Sequence, residues 1–164
     1  MAAITGQVST ARGGTVRGRM PYLVDVSIDL AQAATDKGSA VVATDTIQAI
    51  TVPANTAILA AGIETTTAPA GGSSFSVDLG VTGGDVDTFV DGYAVTGSAA
   101  GAYASIPATG SGMAYVGSAA DTLDLLCIGT TVDTSGVLRV WAILMDIDSI
   151  GDVAADEVAR DALA

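Results

Sequence analysis

The strongest signal in the chain is alternation. In Leu23–Leu30, the apolar residues Val24, Val26, Ile28 and Leu30 alternate with Asp25, Ser27 and Asp29. A period of two sends one set to a buried face and the other to water, so the segment predicts a half-buried β-strand. Thr46–Val52 predicts a second strand, closed by Pro53, Ala54 and Asn55. Thr56–Thr67 is apolar and then Thr-rich, a strand composition. Phe75, Val77 and Leu79 alternate with Ser76 and Asp78 in a fourth strand. Short strands are expected at Tyr93–Thr96 and Gly112–Val116. Leu123, Leu125 and Cys127 alternate with Thr122, Asp124 and Leu126. Val137–Asp146 is expected to be the longest strand. It puts Leu138, Val140, Ala142 and Leu144 on one face and Val137, Arg139, Trp141, Ile143 and Met145 on the other.

Turn chemistry separates these segments. Ala33–Ala40, with Asp36, Lys37, Gly38 and Ser39, reads as a turn. Pro69–Ser74, Gly80–Asp91 and Ala99–Gly110 read as loops, and Asp133–Gly136 as a turn. About eight short strands at this spacing predict an all-β fold, a compact β-sandwich. No long segment of the body has a 3.6-residue period, so α/β architecture is not expected.

Charge adds a division that the alternation does not show. Residues 1–19 hold Arg12, Arg17 and Arg19 and no acid, a charge of +3. The rest holds all 18 acids against Lys37, Arg139 and Arg160, which gives −15 and a total of −12. Residues 1–20 therefore read as a flexible basic arm, residues 21–148 as the sandwich, and residues 149–164 as an acidic tail or short helix. The arm is either a terminus with no task or a segment that orders on an acidic partner.

Composition then removes most chemistry. The 164 residues contain no His and one Cys, so His-based triads, His-ligated metals and intrachain disulfides are excluded. The longest candidate apolar run, Ala57–Ile63, is far short of the ~20 residues that cross a bilayer as a helix. The opening MAAITGQVSTARGG lacks the apolar stretch of a secretory signal. Lys37, the sole Lys, lies between Asp36 and Gly38, a poor place to desolvate an amine for a Ser–Lys pair. Acid pairs such as Asp25/Asp29, Asp121/Asp124 and Asp146/Asp148 read as the wet side of strands rather than glycosidase dyads. Cys127, inside an apolar strand, reads as a core residue. No enzyme and no cofactor is expected.

One segment keeps two readings. GVTGGDVDTFVDG places Asp85, Asp87 and Asp91 beside glycines, oxygen donors of the kind calcium uses, but Phe89 and a missing Glu break the EF-hand pattern. Alternatively, Asp85 caps one helical turn that tucks Val86, Phe89 and Val90 onto the core, ended by Gly92.

The phrases TDTIQAITVPANTAILAAGIETTT, VDLGVTGGDVDTFVDGY, AADTLDLLCIGTT and GVLRVWAILMDID, in that order over Thr44–Asp148, resemble the capsid decoration (cement) proteins of tailed bacteriophages. The resemblance implies a jelly-roll-like sandwich. It also implies a homotrimer that sits on the major capsid protein at the capsid exterior of the virion, after synthesis in the host cytoplasm. Neither nucleic acid nor membrane is an implied partner. Arg12, Arg17 and Arg19 are the candidate capsid-binding residues, as donors to acidic shell residues. The alternative is a head-fibre or receptor-binding module that uses the loops at Pro69–Ser74 and Ala99–Gly110.

Overall fold

A computed structural model describes residues 3–4, 9–10, 21–82, 84–105, 114–116 and 119–147. Along them run β1 (Ala3–Ile4), β2 (Ser9–Thr10), β3 (Tyr22–Asp29), α1 (Leu30–Lys37), β4 (Thr46–Val52), β5 (Thr56–Ala70) and β6 (Ser74–Val81). Then follow β7 (Val90–Ala94), β8 (Tyr103–Ser105), β9 (Ala114–Val116), β10 (Asp121–Thr131) and β11 (Ser135–Asp146). Two sheets form. Sheet A has the order β1–β4–β10–β6–β7, with β2 also on β4. Sheet B has the order β3–β11–β5–β8, with β9 also on β5. The two short N-terminal strands run parallel to β4, and the other ladders are antiparallel. The pairs β3/β4, β5/β6, β7/β8 and β10/β11 each divide between the sheets at matching positions in the strand order. Most connections therefore only step across the core, and the result is the expected β-sandwich.

The alternation accounts for the core. Leu138, Val140, Ala142 and Leu144 of β11 are fully buried, facing Leu123, Leu125 and Cys127 of β10 and Val77 and Leu79 of β6 within one hydrophobic cluster. β5 departs from strict period two. Ile58 and then Ala61 and Ile63 are buried, because the register against β11 slips between Ile143/Ala60 and Leu144/Ile58. The extra residue is a bulge that rephases the strand, which is why the apolar run shows no single face in sequence.

Three expectations are corrected. Ala33–Ala40 is not simply a turn: α1 occupies Leu30–Lys37. Asp29 caps its N-terminus by accepting from Ala31 N (2.8 Å) and Gln32 N (3.2 Å), and Gly38 at φ +75° ends it. Burying only Leu30 and Ala33, it is too short to show a period. β5, at 15 residues, is longer than β11, at 12. Within Ala99–Gly110, Tyr103–Ser105 pairs with β5 as β8. The tail expected at 149–164 lies outside the described residues.

Candidate functional site

The most buried charge closes one end of the sandwich. Lys37, in the last turn of α1, forms an ion pair with Asp45 and donates to Ala40 O at 2.9 Å. Asp45 also accepts from Val42 N at 2.8 Å, and its carbonyl accepts from Cys127 N at 2.8 Å. The amine is largely desolvated after all, but it is committed to the Asp45 carboxylate and the Ala40 carbonyl, as a structural tie. Beside it, burial pushes the Cys127 thiol up to about 12, with a further upward push from Asp45. Such a thiol is a core residue, not a nucleophile.

The acidic segment is built from the outer face of sheet A. Asp78 on β6 and Asp124 on β10 point outward yet are nearly buried, because the chain after β6 folds back over them. Gly80 makes this possible: a Cβ there would lie 2.1 Å from Asp85 O and 2.6 Å from Val86 Cα. Asp78 accepts from Gly92 N at 2.7 Å, and Asp124 accepts from the Thr82 hydroxyl. Burial raises the carboxyl of each above its ordinary 3.8; the charges of Asp91 and Asp87 push Asp78 further, and Asp121 pushes Asp124. Asp124 Oδ1 is buried with no hydrogen-bond partner among the described residues.

Of the calcium candidates, Asp85 and Asp87 come together through a side-chain hydrogen bond that raises Asp85, whereas Asp91 lies towards Asp78. Among the described residues, no group of three acidic, Cys or His side chains is placed to hold a metal ion. The segment forms no full helical turn either. Thr88 Oγ1 donates to Asp85 O at 2.8 Å, but Phe89 N already donates to Leu79 O at 2.9 Å, so the chain re-enters the ladder. Phe89 and Val90 are buried as expected, and Val86 is exposed.

The outer face of sheet B has a different character. Cross-strand rows there join Leu23, Ile143 and Ala60; Asp25, Trp141 and Gly62; and Ser27, Arg139 and Glu64. Leu23 is 65% exposed, and Trp141, Ile143 and Met145 are half-buried. Trp141 lies over Gly62, where a Cβ would meet the indole Cζ2 at 2.7 Å and Ala104 O at 2.7 Å. Arg139 forms an ion pair with Glu64. Tyr103, 77% exposed, flanks Glu64 from β8. The sequence already showed β11 apolar on both faces. Long-range pairing, which it did not show, places Leu23 and Gly62 on either side.

The basic-arm candidates Arg12, Arg17 and Arg19 lie outside the described residues. Near them, Ala3–Ile4 pairs with Thr46–Ile47, and Ser9–Thr10 with Ile50–Thr51, along the edge of β4. These are backbone pairings in a stretch with no alternation to announce them.

The sequence matches no protein-family model and no curated protein. The fold is similar to that of chains in solved phage particles. A chain of "Capsid of Ralstonia phage GP4" aligns with a TM-score of 0.63 at 15% identity, over 90% of this chain and 100% of that one. A chain of "Cyanophage Pam1 capsid asymmetric unit" aligns with a TM-score of 0.56 at 15% identity, over 82% and 91%. A chain of "Acidic stable capsid structure of Helicobacter pylori bacteriophage KHP30" aligns with a TM-score of 0.53 at 10% identity, over 79% and 90%. At these identities the shared property is the fold: this chain has the architecture of a chain found in phage capsids.

Proposed function

We propose that this chain is a structural protein of a phage virion that binds the outside of the capsid and stabilises the head. The observation that carries the reading is the match to the whole of one chain in the Ralstonia phage GP4 capsid, with 90% of this chain aligned. A role of this kind needs a stable scaffold and broad contact surfaces rather than a reaction centre. The sandwich supplies both, and the one buried ammonium and the one thiol are each committed to structure. Binding only to the assembled shell stabilises it by mass action, and many copies multiply a modest affinity. In this reading the chain is a homotrimer, and Arg12, Arg17 and Arg19 of the arm add charge-assisted bonds to acidic shell residues.

The test starts from heads assembled without this chain. Purified protein is added, and the particles are imaged and heated. Regular added density over the shell and a higher rupture temperature are expected; bare shells would sink the reading. Light scattering of the free protein tests the trimer. Deleting residues 1–19 tests the arm, and unchanged occupancy would remove it from the mechanism.

A further inference from the structure

We infer that the outer face of sheet B is the surface that seats on the shell, and that the shell surface it meets is apolar at its centre and basic at its rim. This rests on the decoration reading above and names the face that performs it. The two outer faces of the sandwich are unequal. That of sheet A carries Thr46, Gln48, Thr122 and Thr130 alongside Leu126 and Ile128, and its acids Asp78 and Asp124 are roofed by the chain after β6. That of sheet B leaves Leu23, 65% exposed, beside Ile143 and Trp141 on an antiparallel surface.

Apolar groups gathered around an aromatic ring mark a contact surface; sheet A's outer side shows Ile128 (37% exposed) and Val86 on the fold-back, but no aromatic ring beside them among the described residues. The cluster has the make-up of an interface centre. A Trp is held in place because Gly62 lets its ring lie flush on the sheet, so little side-chain freedom is lost on docking. Among the described residues the cation on this face is Arg139, already paired with Glu64.

Charge selects the partner. The described residues contain two cations, Lys37 and Arg139, and each is committed to a carboxylate. Asp25 stands exposed at the border of the patch, next to Trp141 in register. A second copy laid against this same face would meet another exposed Asp25, with each Arg139 already paired to Glu64. A partner with basic residues around an apolar centre satisfies both features.

The experiment uses heads lacking this chain and compares the wild type with Leu23→Arg and Ile143→Arg, with Ile128→Arg on the outer face of sheet A as the control. Leu23 is the safer variant because its side chain is mostly in water; thermal melting verifies that each variant folds. Leu23→Arg and Ile143→Arg are expected to weaken head binding by roughly tenfold or more. Ile128→Arg is expected to bind as the wild type does. Asp25→Asn is expected to make binding less sensitive to salt. Equal binding by wild type and folded Leu23→Arg would overturn the inference and leave the decoration reading standing. Wild type that leaves heads bare would overturn both. A fall in the mass of the free protein on Leu23→Arg, seen by light scattering, would assign the face to a second copy and overturn the shell assignment.

Discussion

The two sheets solve the same problem, covering a shared core, yet finish their outer faces differently. Sheet A buries two carboxylates under a fold-back of its own chain and leaves threonines outside, with Ile128 the exposed large aliphatic among its strands. Sheet B has Asp25 on its edge strand and pairs Glu64 with Arg139, and leaves an indole and branched aliphatics outside. Each choice depends on a glycine. Gly80 lets backbone lie on sheet A, and Gly62 lets a ring lie on sheet B. The lesson is that alternation sets which residues face out, while the absence of a Cβ sets what may lie on top of them.

The comparison can be broken most severely at Gly80. Gly80→Val pushes against backbone at 2.1–2.6 Å, not against a flexible side chain. It is expected to cost about 3 kcal/mol or more, lowering Tm by roughly 6–12 °C for a domain of this size. Calorimetry checks it, and an unchanged Tm would show that the fold-back is not seated there. Next comes Gly62→Ala, whose Cβ meets both the Trp141 ring and Ala104 O. A loss of about 1–3 kcal/mol is expected, with a red-shifted Trp emission as the ring lifts into water. Since Trp141 is the one Trp in the chain, the emission reports this face directly.

Smaller and of opposite sign is Asp124→Asn. Burial raises the Asp124 carboxyl, so the folded state holds its proton to higher pH than the unfolded chain does. The stability this contributes is full below the ordinary value of 3.8 and is lost as pH rises through the raised folded value. At neutral pH the buried charge is therefore a cost. Asp124→Asn is expected to raise Tm at pH 7 by on the order of 1 kcal/mol equivalent, and to flatten the rise in stability on mild acidification. Melting curves between pH 7 and pH 4 decide; a variant less stable than wild type at pH 7 would mean that the charge is well compensated. The smallest effect is at Leu23. Leu23→Ser is expected to change stability by less than about 0.5 kcal/mol because the side chain is mostly solvent-exposed. A large loss in calorimetry would mean that Leu23 holds the sheet together rather than waiting for a partner.

The legible parts of the fold are those where burial repeats at a fixed interval. β4 runs over Thr46–Val52 as its pattern predicts, with Pro53 as the stop. The inner face of β11 is as read. The illegible parts are those where one residue changes the phase or a cap outweighs a period. The β5 bulge swaps faces between Ile58 and Ala61. α1 is two turns long, so its signal is Asp29 and Gly38 at its ends rather than any stripe. The face on sheet B was half legible: Trp141, Ile143 and Met145 stood out on one strand. Its breadth comes from β3 and β5, nearly 80 residues away along the chain in the case of Gly62 and Trp141, which local pattern cannot reach.

Strand order also governs how the molecule is made. Among the described residues β11 is the last strand, yet it lies between β3 and β5; β10, just before it, lies between β4 and β6. A chain leaving the ribosome N-terminus first therefore presents four strands with no central partner until Asp121–Asp146 emerges. The β5 and β6 ladders with β7, β8 and β9 can form earlier, but the centre of each sheet must wait for Asp121–Asp146. Over that interval the dense negative charge acts on a nascent chain: mutual repulsion keeps neighbouring unfinished copies apart until the two closing strands arrive.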